Sequence, residues 1–110
     1  MARPAKVTAT GNGSTPSFSA PYFTNWRDAD PVTSIALSTN GSTTTCQLQL
    51  CFDDTQLVAE ANLVWFAHAT LTALTASTFG VISQPVTAFR MALGATGTDT
   101  WTMRVLQSGG

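Results

Sequence analysis

One histidine, two cysteines and six acidic residues are the whole supply of the usual catalytic and metal-binding side chains in this 110-residue chain. A serine or cysteine nucleophile needs a base beside it and an acid to orient that base. His68 is the sole candidate base, and no Gly-x-Ser-x-Gly turn aims a serine at it. It reads as a structural residue at a strand end. Asp53 and Asp54 are sequence neighbours, so on a strand they point to opposite faces, whereas a hydrolytic pair must flank one bond from the same side. Adding Glu60 still leaves too few oxygens for calcium without several carbonyls. These acids read as a loop turn or a salt link to an arginine. Cys46 and Cys51 stand five positions apart in a strand-like segment, which sets them on opposite faces and about 16 Å apart. A disulfide spans roughly 7 Å between Cα atoms at most. They are therefore expected to be free thiols of a reducing compartment, and a single histidine makes a zinc site improbable. Gly94–Gly97 lies between strands and lacks the helix N-terminus of a phosphate loop. Asn12 and Asn40 each open an Asn-Gly-Ser tripeptide; both read as turns. The expectation is a protein that is not an enzyme and carries no cofactor or metal.

The aromatic residues hold more information. Trp101 shares a strand face with Met103 and Val105, the pattern of a core. Trp65 and Phe66 are adjacent, so one of them must turn away from the core, where it can anchor an interface. Phe18, Pro21, Tyr22, Phe23 and Trp26 form an aromatic segment with a proline inside it, fitting an edge strand or a bulged one. Pro21, Tyr22, Phe23, Trp26, Trp65 and His68 are the candidate contact residues; a carbohydrate-stacking surface and simple core packing are the other readings of the tryptophans.

The elements that would position these groups are strands. Residues 1–16 carry Pro4, Gly11, Gly13 and Pro16 with almost no large apolar side chain, and read as an extended arm outside a sandwich domain of residues 17–110. Asp28-Ala29-Asp30-Pro31 is a turn, residues 32–38 a strand, and Asn40-Gly41 a hairpin signal because both residues tolerate positive φ. Residues 44–52 alternate, with Cys46, Leu48, Leu50 and Phe52 on one face and Thr45, Gln47, Gln49 and Cys51 on the other. Leu57, Val58 and Ala61 have helical spacing behind an Asp/Thr cap, allowing one helical turn in an otherwise irregular loop. Residues 63–66, an extended stretch 70–76, 86–93 and 100–107 complete the strands, the last two joined by a hairpin turn over Gly94–Asp99. Abundant Thr and Val with regular turn signals predict an all-β antiparallel β-sandwich, jelly-roll-like, as a single domain.

Charge argues about partners. Only 10% of the residues are charged and the net charge is −1, against roughly 25% charged in an average domain. The scattered basic residues form no stripe able to neutralise phosphates, which speaks against nucleic acid. No apolar run reaches the roughly 18 residues of a membrane span, and the basic start runs into polar Thr, Gly and Asn rather than a signal peptide. A surface of hydroxyls and small apolar groups costs little to dehydrate, which suits a subunit lying against other subunits.

Phe52-Asp53-Asp54, the run from Trp65 to Thr72, Pro85-Val86-Thr87-Ala88-Phe89-Arg90 and the closing run from Gly97 to Gln107 resemble a group of small virion proteins of tailed bacteriophages. The resemblance spans Trp26 to Gln107. It departs from the group in the longer connection between Asp54 and Trp65, and in Ala76–Gly80, which lacks an Asn/Asp-rich turn. It implies a β-sandwich subunit of the virion, assembled in the host cytoplasm. Such a subunit would be a head decoration (cement) protein bound across major capsid protein subunits, and a homo-oligomer (dimer or trimer). It supplies no catalytic residues. A neck, tail or baseplate subunit is the alternative within a particle, and a carbohydrate-binding module the alternative outside one.

Overall fold

The structure is a computed structural model that describes residues 3–24, 32–54, 57–83 and 86–107. Its strands are β1 (Arg3–Thr10), β2 (Ser17–Phe18), β3 (Tyr22–Phe23), β4 (Thr33–Thr39), β5 (Cys46–Cys51), β6 (Trp65–Ala67), β7 (Thr78–Ile82), β8 (Ala88–Leu93) and β9 (Thr100–Gln107), with one 3₁₀ turn at Glu60–Asn62. They form two antiparallel sheets. Sheet A runs β1-β9-β4-β7, and sheet B runs β2-β8-β5-β6 with β3 also on β8. Apart from β2 to β3 and β5 to β6, each strand is followed by one in the opposite sheet, which is the jelly-roll course of the chain. The all-β sandwich expected from the strand pattern is the fold observed.

Alternation decides which side chains meet between the sheets. Ile35 and Leu37 on β4, with Trp101, Met103 and Val105 on β9, face Cys46, Leu48 and Leu50 on β5, and Phe89, Met91 and Leu93 on β8. All are buried. The Trp101 indole N–H donates to the Thr44 carbonyl (2.9 Å), so the largest core side chain leaves no polar atom unpaired. Cys51 faces the other way and is buried with Leu63 and Ala88 in a small outer cluster, flanked by Val58 and Trp65. Both thiols are free. Burial pushes the Cys46 thiol up to about 12.

Several expectations are corrected. The segment read as an arm is, over Arg3–Thr10, an edge strand paired with the whole of β9. Ala5, Val7 and Ala9 pack on the core opposite Val105, Met103 and Trp101. Those bulky partners fill the space, so β1 needs only small inward residues and escapes notice as a strand. Asn40-Gly41 is not a hairpin, because β4 and β5 belong to different sheets. Asn40 instead extends β4 along β9: its N–H donates to the Thr100 carbonyl (3.3 Å) and its Oδ1 accepts from the Thr100 N–H (3.0 Å). Gly41 is required by close approach, since a Cβ there would lie 2.1 Å from Asp99 Oδ1. The Gly94–Asp99 turn likewise carries the chain between sheets, from β8 to β9, with Gly97 at φ 80°. Phe52 does not join the buried face but is half-exposed, tilted against Phe66 with ring centroids 5.8 Å apart. Residues 70–76 are not extended: only Leu74 bridges to Cys46, and Ala73 turns the chain at φ 52°.

The two crossings at one end are tied by Asp99. Its Oδ2 accepts from Thr43 N–H (2.7 Å), Thr43 Oγ1 (2.9 Å) and Thr44 N–H (2.9 Å), and its own N–H donates to Thr44 Oγ1 (3.0 Å). The Thr44 backbone and the Thr43 side chain and backbone hold the Asp99 carboxyl below its usual range.

Candidate interaction surfaces

The outer face of sheet A divides into two halves. In register across the strands, Lys6, Arg104, Ala36 and Phe79 form one row, and Leu106, Ser34 and Val81 form the next. At one end of the strands the face is hydroxyl-rich, with Thr8, Thr102 and Ser38 in register and Arg104 donating to Ser38 Oγ (2.9 Å). Toward the other end it is apolar: Phe79 is 81%, Val81 62% and Leu106 47% exposed. These three line a cleft of about 690 Å³ with Ala36, Lys6 and Arg104. β7 is the terminal strand of the sheet, paired only with β4 among the described residues. It carries neither the charge nor the proline that blunts an edge strand against further pairing.

The outer face of sheet B is built around Arg90. Its guanidinium lies 4.1 Å from the centre of the Phe18 ring and 4.5 Å from that of Trp65. Phe18 comes from β2 on one side of β8, and Trp65 from β6, beyond β5 on the other. Arg90 Nε donates to Gln49 Oε1 (2.6 Å), Gln49 Nε2 to Gln47 Oε1 (3.0 Å), and Gln47 Nε2 to Thr72 Oγ1 (2.9 Å). Partial burial lowers the pKa of Arg90.

The candidate contact residues fall in different places. Between β2 and β3 four steps of chain, Phe18 to Tyr22, face three on β8, Ala92 to Phe89. This is the expected bulged edge strand, with Pro21 in its irregular part. At the bulge Ser19 Oγ accepts the Met91 N–H (2.9 Å), a hydroxyl replacing a ladder carbonyl. Tyr22 packs inward on the core, whereas Phe23 is exposed and pairs with Ala88. Trp65 stands on the outer face of sheet B beside Cys51, partly buried, and lines a groove with Pro21, Ser19 and Arg90, while Phe66, in register with Leu50, is also exposed. His68 is brought into neither surface. Its Nδ1 accepts from the Thr70 and Leu71 N–H groups (3.1 and 3.0 Å), closing the turn after β6. Asp53 is likewise a loop clasp, its Oδ2 accepting the Val64 N–H (2.8 Å). Trp26 and the Asp28–Pro31 turn lie outside the described residues.

Sequence reasoning missed Phe79, Val81, Leu106 and Arg90, and placed Phe18 in the aromatic segment without making it a candidate contact. The alternation of Phe79 and Val81 with Gly80 and Ile82 was the available signal for β7. Nothing local in the sequence marks Arg90, whose ring partners come from strands far along the chain.

Among the described residues no group of three His, Cys, Asp or Glu side chains could hold a metal, and no helix is long and apolar enough to cross a membrane. No protein-family model matches the chain, and no curated protein matches it. Among solved structures it is similar to a protein of the disulfide-linked pili that form Bacillus endospore appendages, at 12% identity and TM-score 0.47, covering 100% of this chain and 88% of that one. IMPa from Pseudomonas aeruginosa, solved with an O-glycopeptide, is similar at 13% identity and TM-score 0.46, over 98% of this chain and 13% of that one. A chain of infectious bursal disease virus, Gx strain, is similar at 13% identity and TM-score 0.41, over 99% of this chain and 33% of that one. Likenesses of this strength say nothing about what the chain does.

Proposed function

We propose that this chain is a structural subunit of a virion, a decoration or cement protein of the head. It acts by burying surface against capsid subunits and catalyses no reaction. The apolar half of sheet A's outer face is the observation that carries the reading. Phe79, Val81 and Leu106 stand on a regular sheet face, beside a β7 edge that no described strand pairs. Holding three large apolar side chains in water is unfavourable by the amount their burial would return, on the order of 25 cal/mol per Å². The sparse charge and the resemblance to small tailed-phage virion proteins point the same way. A capsid contact of standard size buries about 800 Å² per partner, and repetition over a symmetric lattice multiplies a modest single contact.

The test uses particles assembled in the presence of the chain and purified on a density gradient. The wild-type protein is expected at hundreds of copies per particle. F79S/V81S changes only exposed positions, so it should keep its circular dichroism and melting behaviour while remaining in the soluble fractions. Equal incorporation of the double variant would remove the sheet A face from the reading. A dozen or fewer wild-type copies per particle would move the subunit from the head to the neck or tail.

A further inference from the structure

Arg90 is held on three sides and open on the fourth. Rings lie against it from Phe18 and Trp65, and its Nε is spent on Gln49, the first member of a side-chain chain that ends at Thr72. A guanidinium has five N–H donors in a rigid fork. The four on the terminal nitrogens have no hydrogen-bond partner among the described residues. The fork borders a groove of about 640 Å³ lined by Ser19, Pro21, Ala61, Leu63 and Trp65. This groove lies on the sheet opposite the Phe79 face, so a role for Arg90 stands independently of the proposed capsid contact.

We propose that Arg90 is a receptor for a carboxylate, the side chain of an aspartate or glutamate presented by a partner protein. Two features select this group over a phosphate. The guanidinium bears a single positive charge, and the other described basic side chains, Lys6 and Arg104, lie on the outer face of the other sheet. The site therefore balances a monoanion. With the Phe18 and Trp65 rings 4.1 and 4.5 Å from its carbon, the guanidinium presents a rigid planar fork, which suits a planar carboxylate taking two parallel N–H···O bonds. Pro21, Leu63 and Trp65 offer apolar walls to the methylene stem of the incoming side chain. Because stacking and Gln49 already fix the fork, little side-chain freedom remains to be lost on binding.

The experiment titrates ¹⁵N-labelled full-length protein with N-acetyl-glutamate amide, following the Arg90 Nε–H and Trp65 indole N–H signals. The expected result is a saturable shift of both, absent with N-acetyl-glutamine amide, the neutral isostere. R90K keeps the charge and loses the fork, and should bind the glutamate probe at least tenfold more weakly. A non-saturating response, an equal response to the glutamine probe, or unchanged binding by R90K would overturn the proposal; the first two need no variant to fold. Inorganic phosphate saturating at lower concentration than the glutamate probe would overturn the assignment to a carboxylate. Glu60 stands next to Ala61 in the sequence, so E60Q is the last arm. A tenfold gain in probe affinity in E60Q would show that the chain fills its own fork, against a partner carboxylate; unchanged affinity supports one.

Discussion

Deleting residues 1–10 separates an arm from a strand. A frayed arm can be removed at no cost, whereas β1 covers one flank of β9 along its whole length. The ladder itself contributes little to the difference. Its hydrogen bonds are each worth about 1 kcal/mol net, and freeing the strand returns about 1–2 kcal/mol of backbone entropy per residue. The apolar surface decides. Val7 is half-buried, which is worth about 1 kcal/mol when full burial of a valine is worth at least 1.5. Ala5 and Ala9 add a few tenths each on the same scale. The flanks of Trp101, Met103 and Val105 that these residues cover would be exposed in a similar amount, doubling the loss to about 3–4 kcal/mol. That is a large part of the roughly 5–15 kcal/mol that holds a domain of this size together. With a urea slope of 1–2 kcal/mol/M, the unfolding midpoint should fall by about 2 M or more. The assay is equilibrium urea unfolding followed by tryptophan fluorescence, since Trp101 reports the region directly. V7D, which places a charge on the same flank, should fall in the same direction in the full-length chain. A truncated protein with the wild-type midpoint would refute the placement of β1 in the sheet.

Two further outcomes concern buried or clasped groups. The Asp99 carboxyl titrates lower in the folded protein than in the unfolded chain, so the folded state binds fewer protons and stability rises with pH. That contribution is complete above the unfolded value of about 3.9 and is lost as pH falls through the folded one. The gap in melting temperature between wild type and D99N should therefore be widest near neutrality and close on acidification; a gap independent of pH would show that the carboxylate charge is not what Thr43 and Thr44 hold. Cys46 and Cys51 are both fully buried, and only the thiolate reacts. A disulfide reagent at pH 8 should modify neither in native protein and both in 6 M urea, and rapid labelling of C51A in buffer would contradict the position of Cys46 in the core.

Strands with strong amplitude were legible in the sequence, and strands with weak amplitude were not. β4, β5, β8 and β9 place a large apolar residue at every second position, and they are the inner strands of the sandwich. β1 alternates Ala5, Val7 and Ala9 with Lys6, Thr8 and Thr10. The period is right, but the inward residues are small because β9 supplies the bulk. Turn chemistry misled for a related reason. Asn-Gly reports that a chain can reverse sharply, yet at Asn40-Gly41 the asparagine side chain copies a ladder rung while the glycine makes room for Asp99. Local residue preferences cannot distinguish these uses, since both depend on a strand some sixty residues away. The same limit hid Arg90, whose stacking partners meet only when β2 and β6 flank β8 and β5.

The jelly-roll course also explains why the two outer faces differ in kind. On sheet A the strand beside β7 has short outward residues, Ser34, Ala36 and Ser38 on β4, so an apolar residue on β7 stands clear of its neighbours and keeps most of its surface. Sheet B has outward amides and an arginine on β5 and β8, which reach across to one another and to the edge aromatics and become partly buried. One face therefore offers area, and the other a fixed pattern of donors. Area without pattern gives strength with little selectivity, whereas a preset fork gives selectivity from little area. A subunit packed among several neighbours has use for both, one to hold it in place and one to fix its orientation. The two faces should then be separable by mutation: F79S/V81S abolishing incorporation into particles, and R90K leaving incorporation intact but blocking carboxylate binding.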